Sequence, residues 1–303
     1  MRTYRITDEM IHPELRESGK WIRRFLPYFK HSTFRKANRI LKLMKGRSGK
    51  DLRYEQVWIP RDDGPESVRH EQDRMPRDEE RPEGGRHEQD RMPEAGGPEG
   101  VHNGQDQLPE AGAPKASKLR LCVYRSPEFS GDAPGLFPTA SVSAAGTASE
   151  PVPGAPGLLW LHGGGYGLGI PEVDEGAFRA FIRETGCVIV APDYRLSVEA
   201  PYPAALEDGY TALLWLKKHA ASLGVRENQL MIGGFSAGGG LAAALAIYAR
   251  DKGEVSIAFQ IPIYPMLDDR MITGSSRDND AKKLMTEHLR YAAEHYFAGQ
   301  VGE

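Results

Sequence analysis

The residues best placed to do chemistry are Gly234-Phe235-Ser236-Ala237-Gly238, between an apolar run at 229–233 and an Ala-rich stretch at 237–250. The run predicts a strand and the stretch a helix. A G-x-S-x-G at that junction makes a tight turn that needs small residues beside the serine and lifts its hydroxyl above a sheet. The helix N-terminus behind it favours negative charge. The plain alternative is a Gly-rich turn, since the pentapeptide also arises by chance. A second element, His162-Gly163-Gly164-Gly165-Tyr166, follows the apolar run Leu158–Leu161. Consecutive glycines let backbone N–H groups turn into a cleft, where they can stabilise the oxyanion of acyl transfer. A flexible loop is the alternative reading. The two elements together, on successive strands, point to acyl transfer on Ser236.

The surrounding chain supplies the elements such a site needs. Apolar runs at 158–161, 187–191, 229–233 and 256–263 alternate with helical patterns at 171–185, 204–220 and 237–250. Strands that are apolar throughout and separated by helices predict a mostly parallel sheet covered on both faces, so the class is α/β. Residues 54–59 and 119–124 alternate in polarity and read as two strands of a hairpin, at 51–60 and 118–127. Between them, at 61–117, Arg69–Pro76 recurs unchanged as Arg86–Pro93, with a degraded copy at His102–Pro109. No Phe, Trp or Tyr occurs there, and among Val, Ile and Leu only Val68, Val101 and Leu108. Without apolar positions to stack, ordering entropy has nothing to offset it, so a disordered insertion is expected. Loop closure costs grow slowly with length, which lets a hairpin tip carry it. A second loose stretch at 128–156 is rich in Ala, Ser, Gly and Pro and reads as a flexible loop.

Residues 1–50 carry 14 Lys or Arg against four Asp or Glu. Leu15–Lys45 has helical apolar spacing broken at Pro27, which predicts two short amphipathic helices. A helical cap over the core is preferred to contact with a membrane surface or an acidic partner. The 303 residues carry a formal charge of −3, which argues against a nucleic-acid binder. No apolar run is long enough to span a bilayer, and with no apolar stretch behind the charges of Met1–Asp8 no secretory leader is expected. Cys122 and Cys187 lie in strand-like runs and are expected as buried free thiols in a cytoplasmic protein. The repeated histidines have no second ligand in register, so no metal site is expected.

The two glycine elements, the run Ala191-Pro192-Asp193-Tyr194-Arg195-Leu196 with Glu199, the run Pro203–Asp208 and the stretch Ile263–Arg270 together resemble the hormone-sensitive lipase-like branch of the α/β-hydrolases. The last stretch is similar to that branch's bacterial carboxylesterases. The resemblance runs from about Leu158 onward, and more loosely over the hairpin and N-terminus. It implies an eight-stranded sheet, a cap partly built from the N-terminus, no cofactor, and hydrolysis of esters of small or medium acyl groups. Matched residue by residue, it implies Ser236 as nucleophile, the N–H groups of Gly163, Gly164 and Ala237 as the oxyanion hole, and Asp193 and Arg195 bracing loops through a buried ion pair.

The triad needs an acid and then a histidine after the serine. Past Ser236 the sequence has only His288 and His295, both in a helical pattern at 286–298 that the resemblance assigns to the cap. Two further strand–helix units need roughly 60 residues, more than follow Ile263. The core at 157–303 is therefore expected to be incomplete, lacking its last strands and both partners of the serine. Two functions stand: a serine carboxylesterase, or an impaired hydrolase remnant that binds a partner.

Overall fold

The computed structural model describes residues 31–61, 118–128, 154–277 and 286–299, together with Pro13. The repeats at 62–117, most of the loose stretch from 129, and the segment before His31 (Pro13 apart) lie outside the described residues, and so does any membrane contact through the basic N-terminus.

Six strands form one sheet in the order β1-β2-β4-β3-β5-β6. They are β1 (Arg53–Pro60), β2 (Lys118–Arg125), β3 (Ala155–Leu161), β4 (Val188–Pro192), β5 (Val225–Phe235) and β6 (Phe259–Ile263). Strands β4, β3, β5 and β6 are parallel, whereas β2 runs antiparallel to both β1 and β4. The hairpin pairs Arg53 with Arg125 and Pro60 with Lys118. Arg61, which the sequence reading places in the insertion, is ordered here and bonds Asp208 and the Lys118 carbonyl.

Strands buried on both faces need apolar residues at every position, and β3 and β4 show how they are used. Leu159, Leu161, Val188 and Val190 enter one core, while Leu158, Trp160, Ile189 and Ala191 enter the other. The helices of more than one turn among the described residues are α1 (His31–Leu41), α2 (Glu175–Thr185), α3 (Ala204–Lys218), α4 (Ala237–Lys252) and α5 (Thr286–Tyr296). Helices α3 and α4 cover the first core, and α2 covers the second through Phe178 and Ile182. A one-turn 3₁₀ segment opening at Pro171 leads into α2, a position where the missing N–H costs nothing. None of the described helices is long and apolar enough to cross a membrane.

The described residues give six strands, fewer than the eight of the family sheet. One expectation is corrected. Helix α1 buries Phe34 and Asn38 but leaves Ile40 67% exposed, so its inner face is narrower than its apolar residues suggest. Strand β6 is the last of the sheet among the described residues, and its Phe259 is exposed. Ser236 N–H donates to the Ile263 carbonyl, which turns the neighbouring Pro262 outward. An outward proline removes one donor from that edge and blunts it against strand addition.

A buried ion cluster joins the hairpin to the loops. Arg120 is 3% exposed and grips Glu172 through Nη1 at 2.6 Å and Nη2 at 3.1 Å. Its Nε bonds Asp193 at 3.0 Å, and Lys45 approaches the same carboxylate at 2.5 Å. Arg195 instead binds Asp208 and Glu207. Asp193 and Arg195 therefore do not pair with each other, as the resemblance implies, because each finds a nearer partner on a different element. Burial alone would raise the Glu172 carboxyl, but bonds from Arg120 and the Gly46 N–H hold it below its usual value.

Replacing Arg120 by Met leaves the buried Glu172 without a cation and Asp193 with Lys45 alone, which costs about 3–5 kcal/mol in comparable sites. Urea unfolding at neutral pH is expected to show a loss of that size, shrinking as the pH falls through the carboxylate range and both groups protonate.

Candidate active site

Ser236 closes β5 and opens α4 with φ 53° and ψ −114°. A non-glycine residue at positive φ is strained by about 1–3 kcal/mol and persists only when its surroundings hold it. Here the backbone is held at both ends. Ser236 N–H donates to the Ile263 carbonyl at 3.0 Å, and the Ser236 carbonyl accepts from Gly240 N–H at 2.9 Å and Met266 N–H at 3.1 Å. The side chain is half-buried at the N-terminus of a 16-residue helix, where the helix dipole favours a developing negative charge.

The glycine loop reaches this bend because β3 pairs with β5. Trp160 lies opposite Gly233 and Leu161 opposite Gly234, so the chain after Leu161 emerges beside the bend. The approach is close enough to need glycine at 238, where a Cβ would sit 2.0 Å from the Leu161 carbonyl oxygen and 2.4 Å from that of His162. Within the loop, Gly164 has φ 124°, and a Cβ there would meet the Leu168 carbonyl at 1.8 Å. The Gly164 carbonyl accepts from Leu168 N–H at 3.0 Å. Among the described residues the N–H groups of Gly163, Gly164 and Ala237 have no acceptor. Gly163 and Gly164 are half-exposed. Uncommitted donors beside a hydroxyl are what an oxyanion requires.

Three contacts brace the loop. Tyr194 Oη donates to the His162 carbonyl at 2.7 Å, and its ring stacks on the His162 imidazole. His162 Nδ1–H donates to the Gly163 carbonyl at 2.8 Å, and its buried Nε2 has no partner. Burial pushes the His162 imidazole down to about 4, so it stays neutral near pH 7. Asn38 of α1 donates to the Gly167 carbonyl and accepts from the Gly169 N–H. Sequence reasoning missed Asn38. Its signal was a polar residue four positions after Phe34 on the inner side of α1.

No base meets the serine among the described residues. Among the described residues Ser236 Oγ has no histidine partner. His295 Nε2 lies 3.0 Å from His31 Nδ1 with the rings stacked, which commits it to α1. The side chain of His288 lies outside the described residues. Helix α5 nonetheless packs near the site, with Tyr296 stacked on Tyr166 at 4.0 Å. Behind the bend, Trp160 Nε1–H donates to Asp174 at 2.8 Å and its ring meets Phe235 edge-on. Burial pushes the Asp174 carboxyl up to about 6, a shift the Trp160 bond tempers. No group of three or more metal-ligating side chains exists among the described residues. Cys122 and Cys187 are buried and unpaired.

Residues 158–302 match a protein family described as having the alpha/beta hydrolase fold. Esterase LipI of Mycobacterium tuberculosis is 35% identical over 148 residues, 48% of this chain and 46% of that protein. Carboxylesterase NlhH of the same organism is 38% identical over 110 residues, 36% and 34% of the two chains. A hyperthermophilic esterase from Pyrobaculum calidifontis superposes with TM-score 0.58 at 25% identity, over 95% of this chain and 71% of that one. A bacterial heroin esterase superposes with TM-score 0.61 at 22% identity, over 98% and 70%, a likeness of fold alone. The chain spans less than half the length of the curated relatives it matches.

Gly238→Ala is expected to lose about 1–3 kcal/mol or more on chemical unfolding, since backbone atoms must shift. Gly176→Ala, with nothing near its Cβ on α2, is expected to gain up to about 1 kcal/mol instead. For Asp174, raised in the folded state, linkage makes folding weaken as the pH climbs from the ordinary aspartate range through about 6. Asp174→Asn removes that decline, so its stability relative to the parent should grow between pH 4 and 7 in urea titrations.

Proposed function

We propose that this chain, whose residues 158–302 form an α/β-hydrolase of the hormone-sensitive lipase-like, bacterial carboxylesterase type, is a serine carboxylesterase that forms an acyl-enzyme on Ser236. The carrying observation is the contact between two loops. A strained serine at a helix N-terminus stands beside a glycine loop whose N–H donors are uncommitted.

In this reading the Ser236 hydroxyl attacks the ester carbonyl, and the N–H groups of Gly163, Gly164 and Ala237 receive the oxyanion that forms. Loss of one such donor costs about 2.7–4 kcal/mol of transition-state stabilisation in a built site. The alcohol leaves, and water releases the acid from Ser236. Substrates in this reading are esters of small or medium acyl groups; the names of the relatives, an esterase and a carboxylesterase, support ester hydrolysis. No cofactor enters this chemistry. Two unpaired buried thiols support a reducing, cytoplasmic setting. The segment 1–50 acts as a helical cap, in line with α1 holding the glycine loop through Asn38.

A second reading has its own support. A serine without a base is a poor nucleophile at neutral pH, and no described histidine reaches Ser236. The chain would then be a hydrolase remnant that binds a partner. Hydrolysis of p-nitrophenyl acetate and butyrate by the full chain separates the two. The esterase reading expects turnover that Ser236→Ala abolishes, with the variant folded by circular dichroism. Equal rates in parent and variant refute it. An absence of turnover in both leaves the remnant reading in place.

A further inference from the structure

Helix α1 and the turn after it face the open end of the β1–β2 hairpin across a cavity of about 190 Å³. Its walls carry Lys42, Lys45, Arg61, Lys118 and Arg120, with the ring of Trp58 among them. Against five cations stand two lining carboxylates, Asp193 and Glu199. Asp193 is already shared by Lys45 at 2.5 Å and Arg120 at 3.0 Å. Glu199 approaches Lys42 only at 3.9 Å. Arg120 and Arg61 are further engaged by Glu172 and Asp208. The uncommitted charge thus sits on Lys42 and Lys118, the latter without a carboxylate partner among the described residues. Ser236 is not among the lining residues, so this is a separate place in the fold.

We propose that this cleft binds a small organic oxyanion, a carboxylate or a phosphate monoester, whose charged end is held by Lys42 and Lys118 and whose apolar part lies on Trp58. A cleft lined by one sign of charge focuses its field and concentrates counter-ions. Lysine ammonium groups each offer three donors to such an oxygen cluster. Trp58 is 57% exposed, so its ring offers an apolar face on which a flat group can lie. The cavity is below the 300–1,000 Å³ typical of drug-sized ligands, which limits the occupant to a small molecule. Asn38 lines the same cleft while holding Gly167 and Gly169. An occupant therefore touches the side chain that fixes the glycine loop.

The test is calorimetric titration of the full chain at low ionic strength, with inorganic phosphate and, separately, with benzoate. At least one is expected to bind saturably. The double variant Lys42→Gln, Lys118→Gln is expected to weaken that binding by on the order of a hundredfold, the loss of two charge-assisted bonds. Lys252→Gln, a lysine stacked on Tyr248 on α4, is the control that leaves affinity unchanged. The anion that responds identifies the charged group. If neither anion saturates, or the double variant binds like the parent, the proposal is overturned. Binding is read without turnover, so the outcome is independent of the esterase reading.

Discussion

The pairing of β3 with β5 is the constraint on which the rest depends. With Leu161 opposite Gly234, the chain leaves both strands at the same edge and the same height. The glycine loop and the serine bend then have to share one space. The carbonyls of Leu161 and His162 come so near position 238 that only glycine fits there. A slip of one residue in that register would turn every side chain of β3 to the other face. It would also move the glycine loop away from Ser236.

The loops themselves are held from outside the sheet. Arg120 projects from β2 into a buried carboxylate pair contributed by the segment before α2 and the loop after β4. Arg195 holds the start of α3 through Asp208. Buried ion pairs of this kind add little net stability compared with apolar packing, yet losing one partner is costly. Their effect is to fix where the loop bearing Asp193 and Tyr194 runs. Tyr194 in turn supports His162 and, through it, the base of the glycine loop.

The geometry of the site is unequal. Its serine bend and glycine loop are braced on several sides, by β6 through the Ser236 N–H, by Met266 through the Ser236 carbonyl, and by α1 through Asn38. Its base is not among the described residues. Strain at Ser236 is worth maintaining only if the hydroxyl or its backbone has a use. That is the reason both an esterase and a binding remnant remain physically coherent, and why turnover is the measurement that separates them.

The sequence alone determined the class and the two chemical elements, because their signals are local. Apolar runs between helical patterns give a covered parallel sheet, and Gly234–Gly238 and His162–Tyr166 carry their own backbone requirements. The hairpin was legible too, since alternation at 54–59 and 119–124 survives the long tract between them. What needed the tertiary structure was every choice between partners distant in the chain. Asp193 chose Arg120 and Lys45 rather than Arg195, and His295 chose His31. Asn38, a polar residue on an amphipathic helix, became the staple of a loop more than a hundred residues away. Local propensity acts over a few residues, while these contacts are decided by which surfaces the sheet order brings together, and no short stretch of sequence encodes that distance.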